Sequence, residues 1–344
     1  MSSIIPIQAR SDLPAAPSTS AGYAPLRRAN SVRRTSTVEA SWPTGRAGAM
    51  AFDARARDIL TTEAGAEPRV LQLDRVDATI APDRSIAAIA SQPHRPNIGR
   101  LLGARGGGHL RRTLDDGLPE ERDAGSPLYL LLDDFAGVSL IAGWAWRHWL
   151  PDSQTGGGHG LPPAKMAERL AKMEDICTGF ASGSTALHDS DGSRQNFAPV
   201  EPLPNPADPA GWHQLPTYDG TTMRRSRRID VWRANDGAIC IDAMFQDSAS
   251  VPSGGRVAVH EYTLTAQADA TTLRLTGVQA QPRILPYPEC PGATRHLDLM
   301  LGAPLSDLRL AVLDRLPGTL GCTHLNDALR SLAEVPLLLK HLEQ

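Results

Sequence analysis

The chain is poor in cysteine, with four among its 344 residues. Four unevenly spaced thiols in a chain of this length do not form the framework of a disulfide-rich secreted domain, so we expect reduced thiols. Residues 1–20 also lack the basic segment and apolar core of a secretory signal peptide. Both absences predict a cytoplasmic protein.

The chain also lacks a strong net charge and a long apolar run. Its formal charge of −3 gives no overall field that would attract nucleic acid or an anionic membrane. Residues 128–150 are apolar but contain Asp133 and Arg147, and the uncharged run 135–146 is shorter than the about 20 residues of a membrane span. We expect neither nucleic acid nor a membrane as a partner, but a small-molecule ligand.

What remains is an ordinary globular composition, 41% hydrophobic and 21% charged, in a chain long enough for two units. Shifts in composition divide it into four parts. We predict a disordered tail at 1–26, a first α+β unit at 27–150, a Gly/Pro-rich connector at 151–221 and a second α+β unit at 222–344.

Alternating apolar residues followed by helical patterns predict an α+β fold built from antiparallel meanders. The predicted strands are 31–42, 50–60, 69–80 and 84–89 in the first unit, and 227–233, 238–247, 257–268 and 272–279 in the second. The predicted helices are 109–122, one opened by Pro127, 164–177, 292–301, 305–316, and one that begins at Cys322 or Thr323.

The two units resemble each other in sequence. Residues 52–58 align with 241–247, and Gln92–Pro93 aligns with Gln281–Pro282, both at an offset of 189 (242 − 53 and 281 − 92). Amphipathic strands can resemble one another by chance, but the shared order of elements favours a duplication. We therefore expect two similar halves, each a three- to four-stranded antiparallel meander followed by helices, packed as a pseudo-dimer.

The same alignment shows where the halves differ. Only the second half has thiols and a histidine at these places, the pattern of one active and one structural copy. Cys322 falls opposite Tyr129, His324 opposite Leu131, and the Cys290 loop opposite residues 94–108.

Cys290, Cys322 and His324 are the main candidates for chemistry. Proline on either side of Glu289–Cys290 forces a rigid extended turn. Cys322 is placed at a helix N-terminus, where free N–H groups and the helix dipole favour a thiolate. His324 can bind a metal or accept a proton.

Three interpretations of these residues stay open. The thiols are buried and inert, or Cys290, Cys322 and His324 bind Zn or Fe with a nearby carboxylate, or they form a nucleophilic or acid–base site without a cofactor. Tyr287, Glu289 and Glu261 are the candidates for assisting residues. Arg225 and Arg228 are the candidates for binding a substrate carboxylate.

The second half resembles the bacterial family of the domain of unknown function 2889. The resemblance covers residues 222–342 and is carried by Arg227–Asp230, the Tyr287–Pro291 turn and Gly321–Leu325. A fainter likeness is to NifU-like iron–sulfur scaffolds, whose first and last cysteines match Cys290 and Cys322, while a middle cysteine is absent. The second likeness implies a meander, a cysteine loop and then helices.

The expected function is an enzyme of the lyase or hydrolase type, acting on a small organic molecule that is aromatic or carboxylated. Two alternatives belong to other classes: a metal-binding or iron–sulfur-scaffold-like carrier, and a non-catalytic binding module. The sequence does not separate hydrolysis from a lyase step.

Overall fold

Nine antiparallel strands form one sheet in the computed structural model, which describes residues 13–150 and 163–342. The strands are β1 Ser31–Ser41, β2 Met50–Thr61, β3 Arg69–Ile80, β4 Ile86–Gln92, β5 Ala198–Val200, β6 Thr222–Arg233, β7 Ile239–Ser250, β8 Arg256–Ala268 and β9 Leu275–Ile284. Their order is β4-β3-β2-β1-β6-β7-β8, and both β5 and β9 pair with β8. The prediction of an α+β fold with antiparallel strands is confirmed.

The two halves of the chain meet in the middle of this sheet, where β1 pairs with β6. Arg33 lies opposite Asp230, and Glu39 lies opposite Arg224, so each of these neighbours across the strands is an ion pair. The sheet is therefore continuous across the two halves.

Seven α-helices accompany the sheet in the part of the chain that the structure describes. They are α1 Gly108–Gly117, α2 Pro119–Ala124, α3 Pro127–Ile141, α4 Pro163–Met173, α5 Leu308–Arg315, α6 Thr323–Ser331 and α7 Val335–Leu339. Proline is the first residue of three of them and the second residue of α7, positions where the missing N–H would have no helical partner. The expected helix at 292–301 is instead a 3-10 helix, Cys290–Met300.

Alternate residues of a strand point to opposite sides, so the sheet has two faces with different coverings. We call one of them the helical face: α3 packs on β1, β2 and β3, and α6 contacts β8. We call the other the connector face, because residues 13–28 and 198–220 cover it. His213 of the connector, for example, hydrogen-bonds to Thr35 and Thr37 of β1.

The stretch Pro127–His148 has the length and apolar composition of a membrane span. Its first part is α3, and 78% of its most apolar window is buried by the rest of the chain. A core helix of a soluble fold has the same properties, so the stretch is weak evidence for a membrane.

The N-terminal segment differs from the expected tail. Residues 1–12 lie outside the described residues, but residues 13–26 follow the edge of the sheet. The Leu285 N–H donates to the Pro17 carbonyl at 3.0 Å, and the Ala21 N–H donates to Glu261 Oε1 at 2.6 Å. The low hydrophobicity of this segment predicts disorder only when no partner satisfies its backbone, and here β8 and the segment after β9 do so.

Candidate functional site

Two cysteines of the second half, Cys290 and Cys322, lie in the apolar core. Cys322 is the N-cap residue of α6, as its position after Gly321 predicts, and it is buried. Cys290 is also buried. Gly179 packs close to two thiols: a Cβ added to this glycine would lie 2.6 Å from Cys290 Sγ and 4.0 Å from Cys177 Sγ. None of the chain's cysteines forms a disulfide.

Burial controls the ionisation of these thiols. It raises the pKa of Cys177 to about 11, and it raises the pKa values of Cys290 and Cys322 as well. Backbone N–H groups at the start of α6 act in the opposite direction on Cys322, but burial has the larger effect. The thiols are therefore protonated at neutral pH, which makes them poor nucleophiles.

Tyr287 and Glu289 lie beside Cys290 but face the connector segment. The Tyr287 hydroxyl donates to Asp189 Oδ2 at 3.0 Å, and burial raises its pKa. Glu289 Oε1 accepts hydrogen bonds from the N–H and the hydroxyl of Thr185, at 2.8 and 2.9 Å. Both side chains tie the Cys290 turn to the connector.

His324 lies against His260 rather than against the thiols. The two imidazole rings are stacked, with centroids 3.4 Å apart and planes 20° apart. Asp247 lies beneath them: its Oδ2 is 3.3 Å from His260 Nδ1 and 3.8 Å from His324 Nε2. Among residues 13–150 and 163–342, this is the group of three whose potential metal-ligand atoms all lie within 4.8 Å of one another.

The local folding explains why these three side chains meet. Asp247 and His260 face each other across β7 and β8, directly before a bulge in the pairing. His324 is the second residue of α6, so the Cys322 cap positions it over β8. The three residues are far apart in sequence, but the meander and the helix start bring them together.

Burial sets the charges of the group. It lowers the pKa values of His260 and His324, and in His324 the neighbouring His260 adds to the effect, so both imidazoles are neutral at pH 7. Burial alone would raise the pKa of Asp247, but Arg225 lowers it, so Asp247 is ionised. Arg225 donates to both Asp247 oxygens, at 2.8 and 3.0 Å.

Asp247 is one end of a continuous buried set of ion pairs, which we call the ion-pair network. Its six arginines and six carboxylates balance in charge when the histidines are neutral. They are Arg34, Arg111, Arg225, Arg227, Arg309 and Arg330 with Asp58, Asp133, Asp134, Asp247, Asp327 and Glu334.

This network approaches solvent beside the histidines. The side chains of His324 and Arg111 are 22% and 25% exposed, whereas Asp247 is fully buried. Arg111 uses Nε on Asp133 and Nη2 on Asp327, which leaves Nη1 without an acceptor among the residues that the structure describes. One imidazole and one guanidinium edge are therefore partly exposed, and Asp327, which Arg111 binds, lies on the same helix as His324.

Glu261 and Arg228 lie on the connector face, so the structure separates them from His324 and the thiols. Burial raises the pKa of Glu261, and its Oε2 has no hydrogen-bond partner. Arg228 is ion-paired with Asp230 and Asp242 and lines a cavity of about 570 Å³, together with residues 21–25 and Arg283. Arg225 is on the helical face and fully paired within the network.

Sequence reasoning named His324 as a candidate but placed neither His260 nor Asp247 in the site. Asp247 has a counterpart, Asp58, in the first half, and a residue present in both halves reads as structural. The useful signal would have been its pairing opposite His260 across the β7–β8 hairpin.

Residues 223–337 match the model of a protein family described as "Protein of unknown function (DUF2889)". No curated protein and no solved structure matches the chain.

Proposed function

We propose that this chain, whose residues 223–337 match the DUF2889 family model, is an enzyme acting on a small carboxylated molecule at Asp247, His260 and His324. The observation that carries the proposal is the convergence of two neutral imidazoles on one buried, ionised carboxylate beside solvent. Buried ion pairs alone would not need the histidines.

His324 is the residue that reaches a substrate. Its neutral imidazole can accept a proton from water in a hydrolysis, or from a carbon next to a carboxylate in a lyase step. Asp247, held by Arg225, lies 3.3 Å from Nδ1 of His260, the ring against which His324 stacks. Asp247 and His260 are thus positioning residues in this proposal.

Arg111 is the partner proposed for the substrate carboxylate. Its Nη1 has no acceptor among the described residues, and Asp327 links it to Arg225. Arg111 therefore takes the anion-binding role that the sequence suggested for Arg225 and Arg228. The guanidinium groups of those two residues are paired with carboxylates of the chain itself. The proposal gives Cys290 and Cys322 a packing role, since their raised pKa values disfavour a thiolate.

The internal duplication is part of the proposal. Arg33–Asp230 and Arg224–Glu39 are related by one offset of 191 (224 − 33 and 230 − 39). Any antiparallel register relates its pairs in this way, so the support lies in the residue types: an arginine–carboxylate pair occurs at both places.

The pairing of the strands supports the duplication further. Both halves have a bulge directly after an arginine-paired aspartate, at Asp58/Ile59 and at Asp247/Ser248. We infer that the halves are repeats packed as a pseudo-dimer, of which the second is the active copy.

The test is a substrate screen with a matched control. Purified full-length protein is assayed against small carboxylated esters and hydroxy acids, and each active compound is retested with His324→Ala and His296→Ala. His296 is partly buried like His324 and lies in the same half. We expect His324→Ala to lower kcat by at least about 100-fold, the lower end of general acid–base contributions. Unchanged turnover in His324→Ala would contradict the proposal.

A second candidate is a non-catalytic binding module, and the cavity on the connector face favours it. Thr263, Thr265, Gln279 and Gln281 converge there with Arg283. A ligand held by these groups cannot contact His324, because the sheet lies between them. Binding of a small carboxylate that Arg283→Ala abolishes and His324→Ala leaves intact would support this function.

A further inference from the structure

We propose that Asp247, His260 and His324 bind a divalent transition-metal ion, with His260 Nδ1, His324 Nε2 and one Asp247 oxygen as ligands. Two imidazoles and a carboxylate are a donor set that Zn²⁺, Fe²⁺ and Co²⁺ accept, and three protein ligands leave positions open for water or substrate. The inference rests on the proposed function, with which it shares its site, and changes one role in it: with Nε2 on the ion, His324 would hold the metal, and water bound to the ion would take the place of His324 as the base.

An unsatisfied buried nitrogen is the first observation that points to a ligand. His260 is 5% exposed, and its Nδ1 has no hydrogen-bond partner, although Asp247 Oδ2 is 3.3 Å away. A buried polar atom without a partner costs free energy, and in native structures such atoms need an explanation. A metal ion between Nδ1 and Oδ2 would supply one.

The convergence of the second imidazole is an independent observation. His324 Nε2 is 3.8 Å from the same Asp247 oxygen, and all three ligand atoms lie within 4.8 Å of one another. The rings are nearly parallel, 20° apart. Imidazole lone pairs lie in the ring plane, so metal binding requires one ring to tilt, and partly exposed His324 has the room to do so.

The surrounding charges determine what else the ion would bind. Arg225 already neutralises Asp247, and the ion-pair network balances without a metal, so a divalent ion adds positive charge at the opening. That charge attracts an anion to the open coordination positions. The site is therefore suited to a metal that holds a hydroxide or a substrate carboxylate, and less suited to a metal that only stabilises the fold.

The first half provides an internal comparison. Asp58 pairs with Arg34 as Asp247 pairs with Arg225, but Asp58 faces Gln72 across the strands, and the aligned counterpart of His324 is Leu131. Neither replacement supplies an imidazole. The first half therefore has the arginine–aspartate pair but not the two imidazoles. The aspartate has its structural role in both halves, whereas the proposed metal site exists only in the second.

The experiment measures binding of the metal alone. Full-length protein freed of metal with a chelator is titrated with Zn²⁺ by calorimetry and with Co²⁺ by visible absorption, without substrate. We expect one equivalent to bind, and His324→Ala to weaken binding by more than the about 10–100-fold that loss of a group behind a ligand costs. His296→Ala and Cys322→Ser should bind as the unmodified protein does.

Three results would overturn the inference: no stoichiometric binding, full-affinity binding by His324→Ala, or loss of binding in Cys322→Ser. Absence of stoichiometric binding is measured on the unmodified protein, so a misfolded variant cannot explain it. Circular dichroism shows whether Cys322→Ser is folded, so that loss of binding in this variant can be interpreted. Failure of the proposed function is a separate result. Metal binding without turnover supports the metal site alone, whereas turnover by chelated protein supports the enzyme without its metal.

Discussion

The two halves of the chain contain the same arginine–aspartate pair in different surroundings. Arg34 and Asp58 lie beside Gln72, whereas Arg225 and Asp247 lie beside His260 and His324. Both aspartates precede a bulge, and both arginines continue into the ion-pair network. The arginine–aspartate pair therefore belongs to the fold of both halves, and the second half adds two histidines to it.

Removing either aspartate should have the largest effect. Asp58→Asn and Asp247→Asn each leave a buried arginine without its bidentate partner, and breaking a buried pair costs about 3–5 kcal/mol. We expect urea denaturation to show similar losses of unfolding free energy in both. Only Asp247→Asn should also abolish Zn²⁺ binding. A loss below about 1 kcal/mol for one of them, typical of an exposed pair, would break the equivalence.

The next largest effect should be on how the free energy of unfolding depends on pH, because only the second half has histidines beside its arginine–aspartate pair. His260 and His324 have folded-state pKa values below the unfolded value of about 6.5, so the unfolded chain binds more protons below that pH. Their contribution is complete above about pH 6.5 and is lost as pH falls toward the folded-state values. Each histidine can contribute up to about 1.4 kcal/mol per pH unit in this window.

The control is His260→Gln, which gives the second half the residue of the first. We expect its unfolding free energy to fall less steeply between pH 6.5 and 5 than that of the unmodified protein. His213, whose pKa burial lowers to about 3, titrates in both proteins and cancels in the comparison. An unchanged slope would mean that His260 is not held neutral by the fold.

Thiol reactivity should show the smallest effect. Cys240 is partly exposed, whereas Cys177, Cys290 and Cys322 are buried. With a thiol reagent at pH 8 we expect one fast thiol and three slow ones, because burial shields the three thiols and raises their pKa values, that of Cys177 to about 11. Cys240→Ser should remove the fast phase. A fast Cys290 or Cys322 would restore the thiols as candidates for the reactive group.

Sequence patterns predict the bounds of several strands and the start of α6 well. The predicted strand 69–80 coincides with β3, the strand 31–42 differs from β1 by one residue, and Cys322 caps α6. These features depend on alternation, turns and capping, which act over a few residues. Local chemistry is sufficient to determine them.

The group of Asp247, His260 and His324 is harder to predict from the sequence. Alternation along β8 places His260 and Glu261 on opposite faces, but it does not say which face the helices cover. The stacking of His260 on His324 depends on how α6 returns to β8, a contact between residues far apart in the chain. Asp247 reads as structural because Asp58 exists, and only the pairing of β7 with β8 gives it a second role.

The most direct measurement is a crystal structure of Zn²⁺-loaded full-length protein with anomalous scattering at the zinc edge. We predict a single strong peak at about 2.0–2.2 Å from His260 Nδ1, His324 Nε2 and an Asp247 oxygen, with the two rings no longer stacked. A peak at Cys290 and Cys322, or stacked imidazoles without a peak in zinc-saturated crystals, would contradict it.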